Sequence, residues 1–154
     1  MTSVAPLALL WDVDGTIAET EMDGHRPAFN RAFAEAGLPW HWDRPTYRKL
    51  LSVSGGRERL AAYLRQVEDA EPDAARLDAL QASKQRHYRA LVEQGGLRPR
   101  PGVQRLMAEA HAAGIPQAVV TTSARTAVQA LARHGVPALE QLVPLWICGD
   151  DVAA

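Results

Sequence analysis

The sequence predicts an α/β fold, a parallel sheet core split by an all-helical insertion. Three observations carry this. Leu7-Ala8-Leu9-Leu10-Trp11 is an unbroken apolar run that ends at once in Asp12-Val13-Asp14-Gly15-Thr16, the pattern of a fully buried strand with a turn behind it. Two more short apolar runs, residues 115–120 and 145–148, each follow a helical stretch. Between the first run and the second, residues 18–96 repeat helical patterns and hold no good strand. The order strand, helical insert, helix, strand, helix, strand predicts parallel pairing with right-handed crossovers.

Residues 18–27, with Gly24 and Pro27, are polar and breaker-rich and read as a linker or hinge. Residues 28–36 turn helical, with Phe29 and Phe33 four apart on one face, and Gly37 supplies the stop. A loop over 38–45 carries Trp40 and Trp42. A short helix is predicted over 46–53 and is broken by Ser54-Gly55-Gly56. Another runs over 57–67, with Leu60, Tyr63, Leu64 and Val67 on one stripe. Glu71-Pro72-Asp73 is a turn or cap before a long amphipathic helix over 74–92, which Gly95-Gly96 ends. Helices over 103–113 and 124–134 are closed by Gly114 and Gly135. Gly149-Asp150-Asp151 reads as a strand-end turn.

Asp12 and Asp14 hold the chemistry. Open α/β sheets place ligands at the C-terminal ends of their strands. In a regular strand two residues two apart leave the same face. Two carboxylates there repel unless a cation or a shared proton compensates, and Mg²⁺ is the natural oxygen-loving ion. Gly15 permits a tight turn and a close ligand approach. The bare D-x-D pattern equally describes a strand followed by an Asx-type turn. Thr121 also ends a buried strand. The hydroxyls and N–H groups of Thr121-Thr122-Ser123, just ahead of a helix, suit a phosphate oxygen. A strand end with a helix cap at Ser123 explains the same residues.

The whole string from Leu7 to Ile17 resembles the first motif of the haloacid dehalogenase-like hydrolases: an apolar strand, then D-x-D-G-T/V and an apolar residue, matched at every position. Thr121 resembles the second motif in its spacing. The resemblance implies a Rossmann-like parallel core, incomplete here, from residues 1–17 and 97–154, with an α-helical cap over 18–96. It implies a Mg²⁺-dependent phosphoric monoester hydrolase working through an aspartyl-phosphate. Asp12 is then the nucleophile and Asp14 the acid and later the base, both at the metal. Thr121, with Thr122 and Ser123, takes the phosphoryl oxygens. A departing halide needs no proton, so the second aspartate favours phosphoryl transfer over dehalogenation.

Residues 15–30, G-T-I-A-E-T-E-M-D-G-H-R-P-A-F-N, and 54–60, S-G-G-R-E-R-L, look like the CbbY-type branch of that family, which acts on sugar phosphates and sugar bisphosphates. That likeness implies substrate contacts from Glu19, His25, Arg57 and Arg59, in a cap that closes over the substrate. The other reading puts Arg57 and Arg59 on a solvated helix face and makes His25 a polar helix-start residue. The implied partner is a small phosphorylated metabolite, and a complete relative is expected to be a monomer. A sugar phosphomutase would use the same two acids, and a non-catalytic remnant is a further alternative. A phospho-receiver domain keeps its phosphorylated Asp on a mid-chain strand, which does not match.

The resemblance also has gaps. The family's third motif is a lysine, and this chain has none after Lys84. Its fourth is an acidic pair after a further strand, and Asp150-Asp151 comes one unit too early. Three strands are visible where a doubly wound core has about five or six. Against usual domain sizes the chain covers about the first two-thirds of a family member. Little activity and an apolar sheet edge prone to association are therefore expected of it.

Seventeen basic and eighteen acidic residues leave a net charge of −1, which gives no electrostatic case for nucleic acid or an anionic membrane as partner. The 154 residues are 47% hydrophobic, enough for a core. Cys148 is the single cysteine, so neither a disulfide framework nor a cysteine-rich metal site is expected. A reducing cytoplasm suits it. The N-terminal residues lack the basic region of a signal peptide, and the apolar run behind them is too short to span a membrane.

Overall fold

The computed structural model describes residues 7–152. Its sheet has three parallel strands, β1 (Leu9–Trp11), β2 (Gln117–Val120) and β3 (Leu145–Ile147), in the order β1-β2-β3. Leu10 stands opposite Ala118, which stands opposite Leu145, and Val120 stands opposite Ile147. Helices α5 (Val103–Ala112), α6 (Arg125–His134) and α7 (Ala138–Leu142) complete this part, with α5 packed on β2 and α7. The chain between successive strands thus does what the alternating pattern requires: parallel pairing needs a crossover, and helices supply it.

The two faces of the sheet differ. Trp11 and Val119 point into the core, and so does Gln117, which accepts from Trp11 Nε1 at 3.0 Å and donates to the Met107 carbonyl at 2.9 Å. That buried amide is therefore satisfied on both ends. The other face, by alternation, carries Leu10, Val120, Leu145 and Ile147. Leu10 is 71% and Leu145 55% exposed. Parallel strands are ordinarily covered on both faces, which is why both faces of these read as apolar.

Residues 22–91 form a second compact unit, distinct from the one made by the chain up to Glu21 and from Val92 onward. It holds α1 (Arg26–Glu35), α2 (Arg44–Leu50), α3 (Gly56–Glu68) and most of α4 (Ala74–Glu93). Its core is aromatic: Phe29, Phe33, Trp42 and Tyr47 are fully buried, with Leu60 and Leu64 from α3. The Trp42 ring lies 4.7 Å from Phe29 and 4.9 Å from Phe33, within the range where ring pairs add to simple burial. Asn30 clamps the loop that delivers Trp42, donating to its carbonyl at 2.9 Å and accepting from its N–H at 2.7 Å.

Three local expectations change. The breaker-rich stretch 18–27 is not all linker, because Glu21–His25 is a π-helical turn leading directly into α1. Pro27 sits in the first turn of α1, where a missing N–H costs nothing. Helix α2 starts at Arg44 instead of residue 46, because Asp43 caps it by accepting from Thr46 N–H at 2.7 Å. The five-residue α7 carried no periodic signal and was not anticipated. Among the described residues no helix is long and apolar enough to cross a membrane.

Candidate active site

Strand β1 stops at Trp11, so Asp12 and Asp14 lie in the turn beyond it. The strand rule that would send both side chains to one face therefore does not apply, and the turn decides their placement. The Val13 carbonyl accepts from the N–H groups of Thr16 (3.3 Å), Ile17 (3.0 Å) and Ala18 (3.4 Å). Gly15 adopts φ +75° and donates to the Ala18 carbonyl at 2.8 Å; a side chain at that position would be strained. Val13, Ile17 and Ala18 are buried and anchor the turn.

Within it the two aspartates are treated differently. Asp12 is exposed, and no hydrogen bond or ion pair among the described residues engages its carboxylate. Asp14 is half-buried, and both its oxygens accept hydroxyl donors: Oδ1 from Thr20, Oδ2 from Ser123. Thr20 is fully buried. Donors on both oxygens fix the Asp14 rotamer.

Thr121 follows β2 directly and is buried. Its N–H donates to the Ile147 carbonyl at 3.0 Å and its Oγ1 accepts from Ser123 N–H at 3.2 Å. Thr122 is exposed. The β2–α6 loop is pinned by Gly149, whose N–H donates to the Ser123 carbonyl at 3.0 Å. A Cβ on Gly149 would stand 2.2 Å from the Thr122 oxygen, so only glycine fits. The structure thus brings Asp14, Thr20, Thr121 and Ser123 together. Ser123 is not the helix cap that its place suggests. The N-cap residue of α6 is Ala124, and the first-turn N–H of Arg125 donates to Asp150 Oδ1 at 2.8 Å.

Asp150 and Asp151 are accordingly occupied. Gly149–Asp151 is a single 3₁₀ turn. Asp151 pairs with Arg125 at 2.5 Å and accepts from Cys148 N–H at 2.7 Å. The Arg125 guanidinium, then the Cys148 N–H, hold its carboxyl below the usual range, and the pair in turn raises Arg125. Burial pushes the Cys148 thiol up, which leaves it an inert core residue.

Glu19 lies on the turn after Asp14, 3.6 Å from Arg100. His25, Arg57 and Arg59 belong to the helical unit. His25 is buried and stacks on Tyr88 with ring centroids 4.2 Å apart. Arg57 is half-exposed and pairs with Asp78 at 2.8 Å. Arg59 is 5% exposed; it donates to Tyr47 Oη at 2.9 Å and to the Leu50 carbonyl at 3.2 Å, with its guanidinium over the Tyr47 ring. Neither a solvated face nor an open cation describes it, for Arg59 joins α3 to α2. Sequence reading passed over Lys84, which is buried with its ammonium 5.0 Å from the Phe29 ring and 5.5 Å from that of Tyr88. Its spacing along the helix with Leu77, Leu80, Tyr88 and Leu91 is the signal that could have found it.

Among the described residues no three His, Cys, Asp or Glu side chains cluster as a ready-made metal cage. Mg²⁺ does not require one. It takes one or two carboxylates and completes its octahedron with water and substrate phosphate. An exposed, unengaged Asp12 carboxylate at a strand mouth fits that mode.

Comparisons with known proteins place the chain in a family. The family model for haloacid dehalogenase-like hydrolases matches residues 7–154. A CbbY protein of Cupriavidus necator is 51% identical over 128 residues, covering 80% of this chain and 50% of its own length. The crystal structure of a mutant CbbY from Rhodobacter sphaeroides in complex with xylulose-1,5-bisphosphate superposes with a TM-score of 0.82 at 39% identity, over 96% of this chain and 65% of that one. The same protein in complex with phosphate gives 0.80. The chain therefore spans about half of the curated relative and 65% of the crystallised one. With a family model matched along essentially its whole length and a half-identical relative beside it, the chain belongs to the haloacid dehalogenase-like hydrolases.

Proposed function

We propose that this chain supplies the nucleophile and the acid/base of a Mg²⁺-dependent phosphoric monoester hydrolase acting on a small sugar phosphate or bisphosphate. The observation that carries the reading is the contrast between the two aspartates. Asp12 presents an unengaged carboxylate, while Asp14 is held by hydroxyls from its own turn and from the Thr121 loop. A nucleophile must be free to reach phosphorus, and an acid/base must be oriented.

In the first step an Asp12 oxygen attacks phosphorus, the bond from phosphorus to the sugar oxygen breaks, and Asp14 protonates that oxygen. In the second, Asp14 takes the proton of a water that attacks the aspartyl-phosphate, releasing phosphate and restoring Asp12. Thr121, Thr122 and Ser123, with their N–H groups, hold the phosphoryl oxygens as charge shifts. Mg²⁺ held by the Asp12 carboxylate and the Asp14 backbone carbonyl would neutralise part of the phosphoryl charge. Glu19, His25, Arg57 and Arg59 are the proposed substrate contacts. Arg57 is the more accessible arginine, because its pair with Asp78 is open to solvent while Arg59 is buried against Tyr47. The bisphosphate bound by the crystallised CbbY supports a sugar bisphosphate as the substrate class.

The test is phosphate release from a panel of sugar mono- and bisphosphates with Mg²⁺, for the chain and for Asp12→Asn. A low rate of release that Asp12→Asn abolishes is expected. Release that survives the substitution would rule out Asp12 as nucleophile. Isomerised sugar phosphate without free phosphate would identify a phosphomutase.

A further inference from the structure

The turn that carries Asp12 and Asp14 is closed by a residue far along the chain. Arg100 N–H donates to the Ile17 carbonyl at 2.8 Å, and its Nη1 donates to the Gly15 carbonyl at 2.6 Å. Beside it, Pro99 bridges to Ala18. The same Nη1 stands 3.6 Å from Glu19 Oε2. With Gly15 N–H on the Ala18 carbonyl, both polar groups of Gly15 are engaged, and among the described residues the carbonyl is held by this one guanidinium. That matters because Gly15, at φ +75°, has no side chain to restrict it, and a glycine peptide rotates easily when its carbonyl is released. Pro99 and Pro101 on either side of Arg100 limit the freedom of the clamp itself.

We propose that Arg100 is a positioning residue for the candidate active site. By holding the Gly15 carbonyl and Glu19 with a single nitrogen, it sets the turn in which Asp12 faces a phosphoryl group. It acts through the Gly15–Thr16 peptide, whose carbonyl it holds. The proposal rests on the reading of Asp12 as the phosphorylated residue.

Two measurements on the wild-type chain, Arg100→Met and Arg100→Lys decide it. In amide hydrogen exchange followed by NMR, Arg100→Met speeds exchange at Gly15, Ile17 and Ala18 about tenfold, the worth of one charge-assisted hydrogen bond, with β2 unchanged. Arg100→Lys restores the wild-type rates, since one nitrogen serves both partners. In fluorine NMR with beryllium fluoride and Mg²⁺, a mimic of the aspartyl-phosphate, the adduct weakens about tenfold in Arg100→Met and recovers in Arg100→Lys. Unchanged exchange in Arg100→Met overturns the proposal. So does faster exchange with an adduct as tight as the wild type's, because the clamp would then serve stability alone. A wild-type chain that forms no adduct counts against the aspartyl-phosphate reading instead, and the exchange rates by themselves then decide whether Arg100 holds the turn.

Discussion

Asp14 and Gly149 show how much single atoms decide at this site. Asp14 could have been any surface carboxylate after a strand, and two hydroxyl donors make it an oriented one. Ser123→Ala removes one of them and leaves Thr20. The expected result is a chain that melts within a few degrees of the wild type, in line with one lost hydrogen bond, but turns over a sugar phosphate at least about tenfold more slowly, because a misoriented acid/base is slow. Turnover at the wild-type rate would show the Ser123 contact to be incidental. Gly149→Ala acts through space alone. Its methyl group would collide with the Thr122 carbonyl, so β3 and the Thr121 loop must part. A loss of about 1–3 kcal/mol in urea unfolding is expected, with the largest amide shifts in the Thr121 loop.

Among the elements, α1 and α4 are joined by one carboxylate. Glu35 on α1 accepts from Ser83 at 2.5 Å, from His87 at 2.8 Å and from Arg86 at 3.1 Å, all on α4. Ser83 first, then His87 and Arg86, bring its carboxyl from an ordinary 4.5 down to about 2. A folded-state value below the unfolded one means that the folded chain prefers the carboxylate. The stabilisation is complete above about pH 4.5 and is lost as pH falls toward about 2. Urea midpoints should fall across that window in the wild type and vary less in Glu35→Gln. Equal slopes for the two proteins would mean that the bridge does not form in solution. The cap of α2 is the second joint. Asp43, its carboxyl lowered by the Thr46 hydroxyl and then by the Thr46 N–H, begins that helix, and Asp43→Ala should cost about 0.5–2 kcal/mol by chemical denaturation.

Over the whole molecule the uneven sheet matters most. Leu10, Val120, Leu145 and Ile147 present one apolar face to solvent, with the outer edges of β1 and β3 unpaired among the described residues. An exposed patch of this kind on strands with open edges favours association. Sedimentation should show assembly that grows with concentration. Leu145→Lys combined with Ile147→Lys should return the chain toward monomer. A concentration-independent monomer in the wild type would mean that this face is protected.

Much of the fold was legible because its signals are local. Three apolar runs ending in turn residues announced three strands, and glycines closed the helices where the pattern put them. The stretch 18–27 was misread because Gly24 and Pro27 count as breakers, although a π turn and the first turn of a helix accept both. The alternative of a helix cap at Ser123 fails because nothing near it indicates that Asp150, twenty-seven residues on, accepts from the Arg125 N–H instead.

By itself the sequence determined that Asp12 and Asp14 follow a buried strand, that Thr121 follows another, and that helices lie between. Those facts depend on side-chain period and turn chemistry, which act over a few residues. Only the tertiary structure decided that Ser123 holds Asp14 across 109 residues, that Arg100 closes the Gly15 turn across 85, and that Arg59 and Lys84 are buried. A hydrogen bond needs its partners within about 3 Å and aligned, and no pattern along the chain encodes which distant donor will meet that condition.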